Sequence, residues 1–137
     1  MVSEMGYLRS PTIAGGQIAF VCDDDLWQVG AEGGAARRLT AGLGEPATPC
    51  LSPDGRWIAY AGRDEQHPEV YLMPAGGGPA RRLTWLGPDV MVRGWTPAGH
   101  ILFVTTWGQP FFRNYRAFLQ AYMNGEVRRL VVVSRRT

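Results

Sequence analysis

The sequence predicts an all-β chain made of three repeated units, each holding four short antiparallel strands. Three observations predict it. Residues 33–40 read Gly-Gly-Ala-Ala-Arg-Arg-Leu-Thr, residues 76–84 read Gly-Gly-Gly-Pro-Ala-Arg-Arg-Leu-Thr, and residues 124–130 echo them as Asn-Gly-Glu-Val-Arg-Arg-Leu. An aromatic stands ten residues before the first arginine of each pair (Trp27, Tyr71, Phe118) and a glycine three residues before it (Gly34, Gly78, Gly125). The chain of 137 residues also carries 18 glycines and 10 prolines, a composition of frequent turns and short strands.

The elements follow in chain order. In the first unit, Ser10 to Phe20 reads as the loosest copy of a hairpin that begins at a Ser-Pro turn, two residues longer than its later counterparts. Leu26-Trp27-Gln28-Val29 is then a strand, Gly33-Gly34 a turn, and Arg37-Arg38-Leu39-Thr40 a closing strand. In the second unit, Ser52-Pro53-Asp54-Gly55 is turn chemistry. Proline presets φ, aspartate bonds the backbone ahead of it, and glycine takes the left-handed position. The strand Arg56 to Tyr60 follows, then Val70-Tyr71-Leu72-Met73, a glycine turn and Arg81-Arg82-Leu83-Thr84. The third unit repeats the order with Thr96-Pro97-Ala98-Gly99 and His100 to Phe103, with His100 matched to Arg56 and Gln17. Its middle connection is longer. Tyr115, Phe118, Leu119 and Tyr122 fall at helical spacing there, and 112–123 read alone would be a helix. The glycine and Arg-Arg-Leu anchors hold register, so a strand is expected.

Four strands in roughly 45 residues is the period of one propeller blade. The expected architecture is therefore a partial β-propeller forming one domain over 1–137. Its blades are expected at approximately 7–42, 43–87 and 88–131, followed by a tail at 132–137. Three blades are fewer than the about four to eight of a closed ring, so the chain is read as the open half of a six-bladed propeller with apolar blade faces uncovered.

The functional inventory is short. All 14 basic residues are arginine, and six of them belong to the Arg-Arg echoes, which makes them repeat chemistry rather than a nucleic-acid face. On an outer strand, one such side chain is expected to face solvent and cover an aromatic ring with its stem; an anion-binding ring is the competing reading. Asp23-Asp24-Asp25 is expected to be a solvated hairpin tip and not a calcium loop, which needs spaced oxygen ligands. Ser10 and Ser52 each precede a proline at an expected turn, and His67 lies in the polar run Asp64 to Glu69. No nucleophile, base and acid converge, and no metal, cofactor or catalytic residue is expected. No run approaches the roughly 18 apolar residues of a membrane span. Glu4, Arg9 and Pro11 break any leader-like stretch, which favours the cytoplasm and makes Cys22 and Cys50 free, buried thiols.

The first unit carries a resemblance. Ile18-Ala19-Phe20-Val21-Cys22-Asp23-Asp24-Asp25-Leu26-Trp27 and its continuation Glu32 to Thr40 resemble the opening blade of the tricorn protease family. The order of Ser52-Pro53-Asp54-Gly55, Arg81-Arg82-Leu83-Thr84 and Gly108-Gln109-Pro110-Phe111 also resembles it, so the likeness spans about residues 7 to 130. The turn and arginine motifs also resemble TolB-like propellers, which suggests an alternative interaction module unrelated to proteolysis. TolB-like proteins are exported, and the missing leader tilts the reading to tricorn.

The resemblance implies a non-catalytic propeller portion of a large cytoplasmic serine protease that cleaves oligopeptides. A six-bladed propeller, a seven-bladed one, a PDZ-like domain and catalytic domains follow one another in that family, which assembles as a hexamer. The implied role is admitting substrate, with oligopeptides and the remainder of the propeller, or a second chain, as partners. None of the family's catalytic residues is carried over. The end, Val131 to Thr137, does not lead into a fourth unit and reads like a truncated or frame-shifted gene end. Blade order makes 45–51 and 90–95 the inner strands, giving Glu45, Thr48 and Arg93 as candidate channel-lining groups.

Overall fold

The computed structural model of the chain describes residues 7–41, 44–63, 67–87, 90–105 and 129–132. The first sheet contains β1 (Arg9–Ala14), β2 (Gln17–Cys22), β3 (Asp25–Gly30) and β4 (Arg37–Arg38), in that order and antiparallel throughout. The second contains β5 (Ala47–Leu51), β6 (Trp57–Gly62), β7 (Glu69–Pro74) and β8 (Arg81–Arg82) in the same arrangement. The third holds β9 (Val90–Trp95) and β10 (His100–Thr105), antiparallel, with β11 (Arg129–Val132) on the other side of β10.

The first strands lie against one another, β1 on β5 and β5 on β9, so the sheets splay from a common inner edge. This is blade-on-blade packing.

Register makes the repeat exact at the level of contacts. Trp27 pairs with Phe20 and Arg38, as Tyr71 pairs with Tyr60 and Arg82. One row of the second sheet, Leu51, Ile58 and Met73, joins Tyr60 and Tyr71 in packing onto Ala19, Val21 and Leu26 of the first. Tyr60 and Tyr71 stack with ring centroids 5.7 Å apart. On the opposite face, Ala59, Val70, Leu72 and Leu83 receive Val92, Ile101 and Phe103 of the third sheet. Each Val, Leu, Ile, Met or Phe side chain so removed from water contributes about 1.5–3 kcal/mol.

The first sheet carries the equivalents of the Leu51 row on its outer flank: Ile13, Ile18 and Val29 align across β1, β2 and β3, beside Phe20 and Trp27. Ile58 is fully buried, whereas Ile13 is 67% exposed. One contact set is thus used at two joints and presented, uncovered, at a third place.

Turns and bulges correct two expectations. Ser10 and Pro11 are inside β1, not at a turn; the turn is the two-residue Gly15-Gly16 link between Ala14 and Gln17. Ser10-Pro11 corresponds to Thr48-Pro49, because each pair sits where its strand gains one residue over its partner. Ser10 and Thr48 have φ of 53° and 48°. In β9 the extra residue is Arg93. His100 aligns with Trp57, not with Arg56. The His100 N–H donates to Thr96 Oγ1 as the Trp57 N–H donates to Ser52 Oγ, each at 3.0 Å. The third turn is therefore one residue shorter than the second. The Ser52 hydroxyl and the Arg56 N–H also hold the Asp54 carboxyl below the usual carboxylate range.

Buried carboxylates close the outer edge of each complete sheet. Glu69, 1% exposed, accepts from Thr84 Oγ1 and from the N–H groups of Leu86 and Gly87 at 2.7 and 2.8 Å, with Arg82 Nη2 at 3.7 Å. Thr84 Oγ1 in turn accepts the Val70 N–H at 2.9 Å. In the first sheet Asp25 accepts from Thr40 and Arg38, and Thr40 Oγ1 accepts the Leu26 N–H at 3.0 Å. Asp25 is 2% exposed, so only Asp23 and Asp24 form the solvated tip expected of all three aspartates. Glu69 likewise leaves the polar loop to which the sequence reading assigned it.

The third unit has Arg116 at the acid's position and Val131 at the threonine's. The sequence there offers neither the acid nor the threonine of the clasp, and among the described residues the arginine strand β11 pairs parallel with β10. The expected strand around Phe118, its helical alternative at 112–123, and most of the expected tail lie outside the described residues.

Two outcomes test this account. Glu69→Ala removes the ionic partner of Arg82 and leaves the Thr84 hydroxyl and two backbone N–H groups without their acceptor, and should cost about 3 kcal/mol, read from the urea midpoint at constant slope. Gly15 has φ +57°, and a Cβ on it would stand 2.7 Å from the Asp54 carbonyl oxygen of the next sheet. Gly15→Ala should therefore cost about 2 kcal/mol or more in the same measurement, from strain and overpacking together.

Candidate functional site

Loops at one end of the first two sheets enclose a crevice of about 360 Å³. That volume falls in the range of small-ligand sites, about 300–1,000 Å³. The start of β1 supplies Arg9, the β2–β3 turn supplies Asp24, the run into β5 supplies Glu45, β5 itself supplies Thr48, and the residue after β6 is Arg63. Val21, Pro46 and Ala47 provide apolar wall.

The backbone here is unusual. Five non-glycine residues among those described have positive φ, and four line the crevice: Ser10 at 53°, Asp24 at 60°, Glu45 at 39° and Thr48 at 48°. An L-residue in that region costs roughly 1–2 kcal/mol, and such strain persists only where the surroundings over-determine it. The surroundings do so here. The Arg63 N–H donates to the Gly44 carbonyl at 2.6 Å, and Thr48 Oγ1 accepts the Val92 N–H at 3.1 Å. The Leu51 N–H donates to Thr12 Oγ1 at 3.0 Å, and Trp95 Nε1 donates to the Cys50 carbonyl at 2.9 Å. Neighbouring inner strands are stitched by side chains at the same edge that bears the crevice.

The charges are mixed. Arg9 Nη2 bonds Asp24 Oδ1 at 2.8 Å, an exposed pair. The exposed Glu45 and Arg63 side chains have no ionic partner among the described residues. The crevice thus offers one open carboxylate and one open guanidinium.

Of the channel-lining candidates, Glu45 and Thr48 come together in this crevice and Arg93 does not. Arg93 occupies the β9 bulge, exposed, near Cys50, whose thiol is pushed up by burial and partly drawn back by the Arg93 charge. Cys22 and Cys50 are both free, with Cys22 buried and Cys50 half-buried. Sequence reasoning missed Arg9 and Arg63, which belong to no repeat.

The paired arginines divide their roles. Arg38, still about half exposed, bonds the buried Asp25, and Arg82 lies 3.7 Å from the buried Glu69. Arg82 also lies 5.3 Å from the Trp85 ring centroid, and Arg37 reaches the Gly76 carbonyl of the next sheet at 2.6 Å. Among the described residues no three histidine, cysteine or acidic side chains gather as metal ligands, and no helix is long and apolar enough to cross a membrane.

Repeated sheets splayed from stitched inner strands define a segment of a β-propeller. The chain matches, over residues 5–136, the family described as the tricorn protease N-terminal beta propeller domain, and it belongs to that family. Two tricorn protease homologues of Streptomyces coelicolor are 43% and 41% identical to it over 117 and 108 residues, covering 80% and 78% of this chain and 10% of each relative. The chain thus spans about a tenth of the length of these curated relatives. The crystal structure of the tricorn protease superposes with a TM-score of 0.73 at 26% identity, over 92% of this chain and 13% of that one. TolB from Acinetobacter baumannii superposes with a TM-score of 0.68 at 20% identity, over 92% of this chain and 32% of that one, a likeness of fold alone.

Relief of strain gives a test that does not need a ligand. Glu45→Gly removes a left-handed L-residue with no ionic partner among the described residues, and the gain exceeds the entropy lost to glycine. The variant should be more stable by about 0.5–1 kcal/mol in urea denaturation; a loss of stability would show that Glu45 is held by contacts and not strained.

Proposed function

We propose that this chain is a non-catalytic propeller portion of a tricorn-type protease, acting in the cytoplasm to admit oligopeptides. Glu45, Thr48 and Arg93 are its channel-side groups. The observation that carries the reading is the placement of the Glu45 crevice on the inner strands of a tricorn-family propeller. An inner edge is where a ring of such sheets leaves its opening, and open charges with apolar wall suit a peptide, whose backbone is polar and whose side chains are mixed.

The uncovered flank supports the partner in this reading. Ile13, Ile18 and Val29 repeat a surface that the second sheet buries against the first. Trp27 Nε1, on the same flank, is buried without a hydrogen-bond partner among the described residues. Further sheets of the same kind, from a longer chain or from a second one, fit there.

Two measurements on the purified 137-residue chain test the proposal. With a fluorogenic peptide, no turnover is expected; turnover that survives repurification overturns the non-catalytic role. With a fluorescently labelled octapeptide blocked at both ends, anisotropy should rise with protein concentration in the micromolar to millimolar range. A flat titration removes the peptide-handling role.

A further inference from the structure

We propose that the crevice between the first two sheets is a receptor for a short peptide with both termini free. Arg63, assisted by Arg9, takes the α-carboxylate and Glu45 takes the α-ammonium. The inference deepens the peptide-handling reading and rests on it for the class of ligand. Three observations carry it.

The first is charge. The exposed Arg63 guanidinium and the exposed Glu45 carboxylate line one crevice, and neither has an ionic partner among the described residues. A ligand of one sign would meet an opposing group of its own sign. A zwitterion satisfies both, and guanidinium matches carboxylate with two parallel N–H donors. Arg9, tied to Asp24 at 2.8 Å, keeps further N–H groups for the same carboxylate.

The second is size and wall. About 360 Å³ suits a ligand of about two residues better than an extended chain. Val21, Pro46 and Ala47 offer contact to small apolar side chains but no hydrogen-bonding side chain.

The third is rigidity. Ser10, Asp24, Glu45 and Thr48 hold positive φ around one opening. Pro11 follows Ser10, Pro46 follows Glu45 and Pro49 follows Thr48. A wall fixed before binding loses little freedom when a ligand arrives, which raises affinity for a small molecule with few contacts.

The test is isothermal titration calorimetry of the chain with L-Ala-L-Ala, with its C-terminal amide and with its N-acetyl derivative. The free dipeptide should bind at least tenfold more tightly than either blocked form. Arg63→Gln should abolish the preference for acid over amide, and Glu45→Gln the preference for free over acetylated amine. Arg63→Lys should keep part of the first preference. Both side chains are exposed, and far-ultraviolet circular dichroism of each variant matching the wild type confirms that the fold is retained.

Equal binding of all three compounds, no binding of the dipeptide, or preferences that survive the substitutions would overturn the assignment. The doubly blocked octapeptide separates the two proposals. If it binds while L-Ala-L-Ala does not, the crevice assignment fails and peptide handling stands. If the dipeptide alone binds, with both preferences, the crevice stands and handling of longer peptides fails.

Discussion

A carboxylate buried at the start of the third strand organises each complete sheet. Asp25 and Glu69 have no reason to leave water on their own, because desolvating an unpaired carboxylate is costly. They are held because the closing strand brings a threonine hydroxyl and a guanidinium, and in the second sheet two further backbone N–H groups. The same threonine oxygen accepts the N–H of the next residue of the third strand. Acid, hydroxyl and backbone therefore form one connected set, in which each member is satisfied only if the outer strand is in register. The repeated Arg-Arg-Leu-Thr has its meaning here. The second arginine and the threonine serve the acid, while in the first sheet the first arginine reaches across to the next sheet. Where the acid and the threonine are absent from the sequence, as in the third unit, the arginine strand pairs elsewhere.

Much of the fold was legible before the coordinates. Ten-residue spacing from aromatic to arginine marked the third and fourth strands, and Tyr71 and Arg82 do pair across them. Pro53-Asp54-Gly55 announced its turn. The errors came where residue type and position disagree. Ser10-Pro11 looks like Ser52-Pro53, yet it is the counterpart of Thr48-Pro49, because a bulge and a turn can share a proline and only pairing tells them apart. Three adjacent aspartates look uniformly hydrophilic, yet strand geometry turns the third inward. A spacing of thirteen residues, Asp25 to Arg38 and Glu69 to Arg82, was present in the sequence and would have revealed the clasp.

The crevice was only half legible. Glu45 and Thr48 could be placed near the inner edge from strand order, since an innermost strand must precede each Pro-Gly turn. Arg9 and Arg63 could not, because they occur once each and come from different sheets; their convergence is a product of how two sheets lean together. Positive φ at Ser10, Asp24, Glu45 and Thr48 was also invisible, as none of these residues is glycine. The site is thus written in tertiary geometry and the scaffold in local pattern.

The reuse of one contact set at successive joints has a consequence for how such a chain changes over generations. Lengthening it by duplicating a sheet requires no invention, because the newcomer arrives already fitted to its neighbour on either side. Damage is correspondingly confined: a poor side chain in one copy loosens one seam and leaves the others as they were. Features that belong to a single seam, as the Arg9–Arg63 crevice does, are then free to diverge while the masonry around them is copied.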